Sequence, residues 1–161
     1  MNYLLDTCVV SELMKPRPDQ NLIHWLQSVP EYSLHLSVLT FGEIHQGIER
    51  LAPGSKRERL HQWVNHDLQD RFQGRILDLD LDVARTWGRI QGQAEGQGAP
   101  LSLMDGLLAA TAVTRGLIMV THNTQDRLNS GVTLLNPWES IKQPGWTGTI
   151  CPESDSAAPR S

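Results

Sequence analysis

Leu117-Ile-Met-Val-Thr121 is the stretch that most restricts how this chain can fold. It is an unbroken apolar run of strand length, set between Gly116 and the polar His122-Asn123. A strand with apolar side chains on both faces needs cover on both faces, which is the situation of a strand inside a parallel sheet. The rest of the chain supplies matching pieces. Asn2-Tyr-Leu-Leu5 is a short apolar run that stops at Asp6-Thr7, and Tyr32-Ser-Leu-His-Leu-Ser37 alternates as a strand does. Arg75 to Leu79 and Val132 to Leu135 read as two further strands.

Helical patterns separate these strands. Val9-Val10 and Leu13-Met14 recur at helical spacing. Asp19 caps a helix through Ser28 that carries Leu22, Ile23 and Leu26, and Pro30 ends it. Val38 to Leu51 places Phe41, Ile44, Ile48 and Leu51 on one face. Ser55 with Glu58 has the capping-box pattern for a helix running to Phe72, with Leu60, Trp63, Val64 and Leu68 as its stripe. Asp80 or Asp82 caps a helix through Glu95, and a nearly all-apolar helix runs from Ser102 to Gly116. Strands alternating with helices through short loops imply an α/β fold of three α/β/α layers, with a central parallel sheet of about five strands. In Leu77-Asp-Leu-Asp-Leu-Asp82, alternation predicts Leu inward and Asp outward.

The length of 161 residues suits one domain with a real core, assigned to residues 1–138. Residues 139–161, rich in Pro, Gly, Ser and Thr, read as a disordered tail. No apolar run reaches the roughly 20 residues of a membrane span, and no basic leader precedes an apolar one. Two isolated cysteines, Cys8 and Cys151, make no disulfide framework, so the expected location is cytoplasmic. A net charge of −4 argues against non-specific nucleic-acid binding, but not against a nucleic-acid enzyme whose carboxylates hold a cation.

Four acidic residues fall where a parallel sheet opens a site. Asp6 ends the first strand, although capping of the next helix explains it equally well. Glu43 lies about 120° from the centre of its helix stripe, at the border of the buried face. The alternative is a helix N-terminal Glu favoured by the macrodipole. Gly47, one turn on, would let a neighbouring backbone approach. Asp105 sits in the most apolar helix, where a carboxylate is expensive without a partner, and it also pairs with Ser102 as a cap would. Asp126 follows the fourth strand in Thr121-His-Asn-Thr-Gln-Asp126, with Asn123 and Thr121 as further oxygen donors; an Asx turn explains it locally. Together, such carboxylates repel one another unless a cation is present. Oxygen donors without a cysteine cluster select Mg²⁺, or Mn²⁺, over zinc, and the chemistry that suits them is phosphodiester hydrolysis. His122 sits beside this site, either touching substrate or as a plain surface residue, and Trp138 reads as core packing.

Leu4-Leu-Asp-Thr-Cys-Val-Val-Ser-Glu12, Ser37-Val-Leu-Thr-Phe-Gly-Glu-Ile-His-Gln-Gly47, Asp105-Gly-Leu-Leu-Ala-Ala-Thr-Ala112, Val120-Thr-His-Asn-Thr-Gln-Asp126 and Leu135-Asn-Pro-Trp138 resemble PIN-domain ribonucleases. The likeness is to the VapC-type toxins of bacterial type II toxin–antitoxin pairs, including the FitB-like branch. It implies a PIN fold, Mg²⁺-dependent endoribonuclease activity, a homodimer, and a cognate antitoxin whose C-terminal segment blocks the active site. Operator DNA would be bound only through the antitoxin complex. By motif, Asp6 and Asp105 correspond to the principal metal ligands, Glu43 and Asp126 to the remaining acidic positions, with Thr7, Thr121 and Asn123 as auxiliaries. Two residues depart from the pattern: Cys8 stands where the family usually has Asn, and Arg127 where it often has Phe. Cys8 keeps open an alternative, a catalytically weak PIN-like module acting mainly by binding its antitoxin and operator DNA. It also argues against an aspartate-nucleophile phosphatase, which needs a second Asp at that position.

Overall fold

The computed structural model describes residues 1–125 and 130–139. The expected tail therefore falls almost wholly outside the described residues, as do Asp126 and Arg127. Five strands form one sheet: β1 (Tyr3–Leu5), β2 (Leu34–Ser37), β3 (Ile76–Leu77), β4 (Ile118–Val120) and β5 (Leu134–Leu135). Their order is β3-β2-β1-β4-β5 and every pairing is parallel. β1 is central, with Tyr3 opposite both Leu34 and Ile118 and Leu5 opposite Val120.

The helices are α1 (Thr7–Leu13), α2 (Gln20–Ser28), α3 (Val38–Glu49), α4 (Ser55–Gln62), α5 (Gln69–Arg71), α6 (Leu81–Gly96) and α7 (Leu103–Arg115). Alternation along β1 divides the core. Leu5 packs with Val9, Val10, Ile44, Ile48 and Phe72 on one side of the sheet. Leu4 packs with Leu108, Ala112 and Met119 on the other. All of these are at most 5% exposed, so the sheet is covered on both faces, as the apolar run of β4 requires.

Local structure departs from expectation in several places. Glu31–Ser33 is a 3-10 turn rather than the start of β2, and Tyr32 is 75% exposed. The helix expected from Ser55 to Phe72 contains a π-helical turn, Trp63–Leu68, between α4 and α5. The Ser55–Glu58 capping box does not form; Gly54 occupies the cap with φ +156°, and no side chain bonds there. Asp80, not Asp82, caps α6, accepting from the Val83 amide at 3.0 Å. β3 is an edge strand only two residues long. Leu79 and Leu81, expected inward, are consequently 41% and 64% exposed, since no strand continues to carry them under the sheet.

Candidate active site

Parallel pairing brings the C-terminal ends of β1, β2 and β4 to one edge. Asp6 follows β1 directly, with extended backbone, and is both cap and buried carboxylate. Its Oδ1 accepts from the Thr7 amide at 2.8 Å, and the residue is only 4% exposed. Its Oδ2 accepts from the Thr121 hydroxyl at 2.7 Å. Thr121 is itself fixed, donating its amide to Leu135 O and accepting the Asn123 amide on Oγ1 at 3.1 Å. The Asp6 amide donates to Val120 O. Asp6 is thus held by β4 through both backbone and side chain, and the two readings of it coexist.

Thr7 extends the network to α3. Its hydroxyl donates to Glu43 Oε1 at 2.5 Å and lies 3.3 Å from the hydroxyl of buried Thr40. Glu43 lies beyond the first turn of α3, which contains no acidic residue and is capped by Ser37. The macrodipole therefore does not account for Glu43, whereas its tie to Thr7 does. Gly47 does not serve a close backbone approach: a Cβ there would meet nothing within 4 Å.

Asp105 is carried differently. It is the third residue of α7, half-buried, and its amide donates to Oγ of the capping Ser102 at 3.2 Å. Gly106, next to it, faces α6: a Cβ at Gly106 would stand 2.9 Å from Trp87 Nε1. Among the described residues no group of three His, Cys, Asp or Glu lies close enough together to hold a metal, and Asp126 is outside them. The donor chemistry, carboxylate and hydroxyl oxygen, suits a hard divalent cation.

Cys8 is built into the first network. Its thiol lies 3.6 Å from Asp6 Oδ2, its sulfur accepts the His122 amide at 3.4 Å, and Thr121 Oγ1 is 3.7 Å away. Burial, then the negative charge of Asp6, push the thiol up to about 11, against the opposing hydrogen bonds from His122 and Thr121. The residue is a neutral thiol at physiological pH, tying the end of β1 to the segment after β4.

A groove of about 490 Å³ opens from Thr7 and Glu43 along α1, α3 and α4. Met14, Ile44, Ile48, Leu51 and Leu60 give it an apolar lining, and Lys15, Lys56 and Arg59 add positive charge. The sequence signals the apolar ones separately, as helix stripes, but nothing in it joins them with these cations into one surface.

The site is thus a carboxylate at the end of the central strand of an all-parallel sheet, linked through a threonine to a helix glutamate. The chain belongs to the PIN-domain family, whose pattern matches residues 3–128. It is 34% identical over 135 residues to Toxin FitB of Neisseria gonorrhoeae, covering 84% of this chain and 97% of that protein. It is 32% identical over 136 residues to VapC ribonuclease Y4jK of Sinorhizobium fredii, with the same two coverages. Among solved structures, FitAcB from Neisseria gonorrhoeae matches with a TM-score of 0.81 at 33% identity, covering 86% of this chain and 99% of that one. A structure of FitAB bound to a DNA fragment matches equally well. Among the described residues no helix is long and apolar enough to cross a membrane.

Proposed function

We propose that this chain is a magnesium-dependent endoribonuclease, the toxin of a type II toxin–antitoxin pair. The relatives named a VapC ribonuclease and Toxin FitB support the class. The observation that carries the reading is the oriented Asp6 carboxylate, buried at the end of β1 and coupled through Thr7 to Glu43. Asp6 and Asp105 would hold Mg²⁺, or Mn²⁺, with Glu43 and Asp126 as the remaining acidic groups. When bound, such an ion supplies charge stabilisation on the scissile phosphate and lowers the pKa of water. Thr121 and the Thr7 amide orient Asp6 by donating to its two oxygens, which keeps both acceptors directed. Thr7 fixes the Glu43 carboxylate in the same manner.

The partner in this reading is a small antitoxin, and operator DNA is reached through the complex, as in the FitAB structure bound to DNA. The groove beside Glu43 suits an antitoxin segment with an apolar face and acidic flanks, which its lysines and arginine would pair. A homodimer is the expected assembly. The test is Mg²⁺-dependent cleavage of single-stranded RNA by the purified chain and by Asp6→Asn and Asp105→Asn. Each replacement is expected to lower cleavage by more than the roughly 10–100-fold typical of outer-sphere changes, and to relieve growth arrest on expression. Full activity in both variants would overturn the assignment. Antitoxin binding with no metal-stimulated cleavage would favour a binding module instead.

A further inference from the structure

The segment after β4 carries a feature that neither the carboxylates nor the groove uses. The His122 and Trp138 rings stack with centroids 4.6 Å apart and planes within 7° of each other. Trp138 packs against the main core, whereas His122 is exposed. Asn136, itself buried, holds the pair together: its Nδ2 donates to His122 O at 3.4 Å, and its Oδ1 accepts the Trp138 amide at 3.0 Å. Asn21 Nδ2 donates to Trp138 O at 2.9 Å, fixing the far end. On the near end the His122 amide donates to Cys8 Sγ, which lies 3.6 Å from Asp6 Oδ2. A planar ring, backed by tryptophan and clamped through main-chain bonds, therefore stands exposed beside the buried carboxylate.

Resting on the ribonuclease reading, we propose that the His122–Trp138 stack is a nucleobase subsite, on which a base flanking the cleaved phosphate stacks against His122. Single-stranded RNA is recognised chiefly by stacking of unpaired bases on aromatic and histidine rings. A pre-ordered stack loses little side-chain freedom when a base is added to it. The stack lies next to the strand end that carries Asp6, so a base seated on His122 would flank a phosphate held at the carboxylates.

The experiment measures anisotropy of labelled short single-stranded RNA against the full chain with divalent ions chelated, alongside cleavage with Mg²⁺. His122→Ala should weaken binding about five- to hundredfold, the range of one lost stacking contact. His122→Tyr should restore it, and His122→Lys should not. An RNA with a single abasic site, scanned along the oligonucleotide, should at one position erase the difference between the parent chain and His122→Ala. Unchanged binding in His122→Ala, rescue by Lys equal to that by Tyr, or a difference that survives every abasic position would each overturn the subsite while parent-chain cleavage still supports the ribonuclease. Absence of cleavage by the parent chain under any divalent ion would overturn both.

Discussion

Asp6 and Asp105 share one role in the proposed reading, yet the fold positions them differently. Asp6 is fixed by hydrogen bonds: both oxygens are engaged, and donors arrive from α1 and from the end of β4. Asp105 rides on the first turn of α7, next to Gly106, where that helix lies tight against α6. The contact there is tight at Gly106, and beneath it Trp87 Nε1 and Gln91 Oε1 are buried without a hydrogen-bond partner among the described residues. The first position is thus fixed by directed polar bonds at a strand end, and the second also follows the spacing of α7 from α6. Polar deletions should disturb the first and volume changes the second.

The larger effect is expected at Thr121. Replacing it by Val keeps its shape but removes the donor to a carboxylate that is 4% exposed. Groups that orient a ligand to a metal typically contribute 10–100-fold to metal affinity or activity, so Thr121→Val should lower RNA cleavage by about that factor. It should also lower the unfolding free energy by about 1–3 kcal/mol, because a buried carboxylate loses its hydroxyl donor. Thr121→Ser should recover most of both losses. Unchanged cleavage by Thr121→Val at every Mg²⁺ concentration would mean that the polar bonds are not what sets Asp6.

On the other side of the comparison, Gly106→Ala adds one carbon where the nearest atom is 2.9 Å away and belongs to a large ring. Overpacking of this kind costs about 1–3 kcal/mol, only partly offset by the better helix propensity of Ala. Cleavage should fall as α7 is displaced from α6. A second change, Trp87→Leu, should recover activity in Gly106→Ala by clearing the contact. Equal loss in the single and double variants, measured by thermal unfolding and cleavage, would show that helix spacing does not place Asp105.

This division explains how much of the molecule could be read from the sequence. The five parallel strands and the paired cover of the sheet follow from apolar runs and their separators, because a strand such as Leu117–Thr121 has few other places to lie. Asp6 was legible for the same reason: it terminates a strand. Its link to Glu43 through Thr7 was not, because residues 36 apart in sequence meet only after β1 and β2 pair. Gly106 did carry a signal, a glycine in an otherwise apolar helix, yet its partner Trp87 lies on another element. Alternation misled at Leu79 and Leu81, since a period-2 pattern says nothing about where an edge strand stops. The π-turn at Trp63–Leu68 was equally invisible, for Leu60, Trp63, Val64 and Leu68 fit a regular helix just as well.

Cys8 sharpens the comparison from within the polar network, at the position where the sequence resemblance leads to an expected Asn. Alkylation requires the thiolate, and burial together with the Asp6 charge raises the thiol from 9.0 to about 11. At neutral pH and with divalent ions chelated, Cys8 in the folded chain should react far more slowly with iodoacetamide than in the unfolded chain. Asp6→Asn should speed that reaction by removing the charge. The stability sign follows from proton binding. Between about pH 9 and 11 the folded chain keeps a proton that the unfolded chain has lost, so this contribution is full below 9 and declines as pH rises toward 11. Cys8→Asn should abolish that alkaline decline, and a side-chain amide in contact with Asp6 and the His122 amide makes a stronger bond than sulfur does. The expected result is cleavage by Cys8→Asn at or above the parent level. Cleavage reduced as far as in Thr121→Val would instead show that the thiol is fitted to this network, and that its strength does not lie in hydrogen bonding alone.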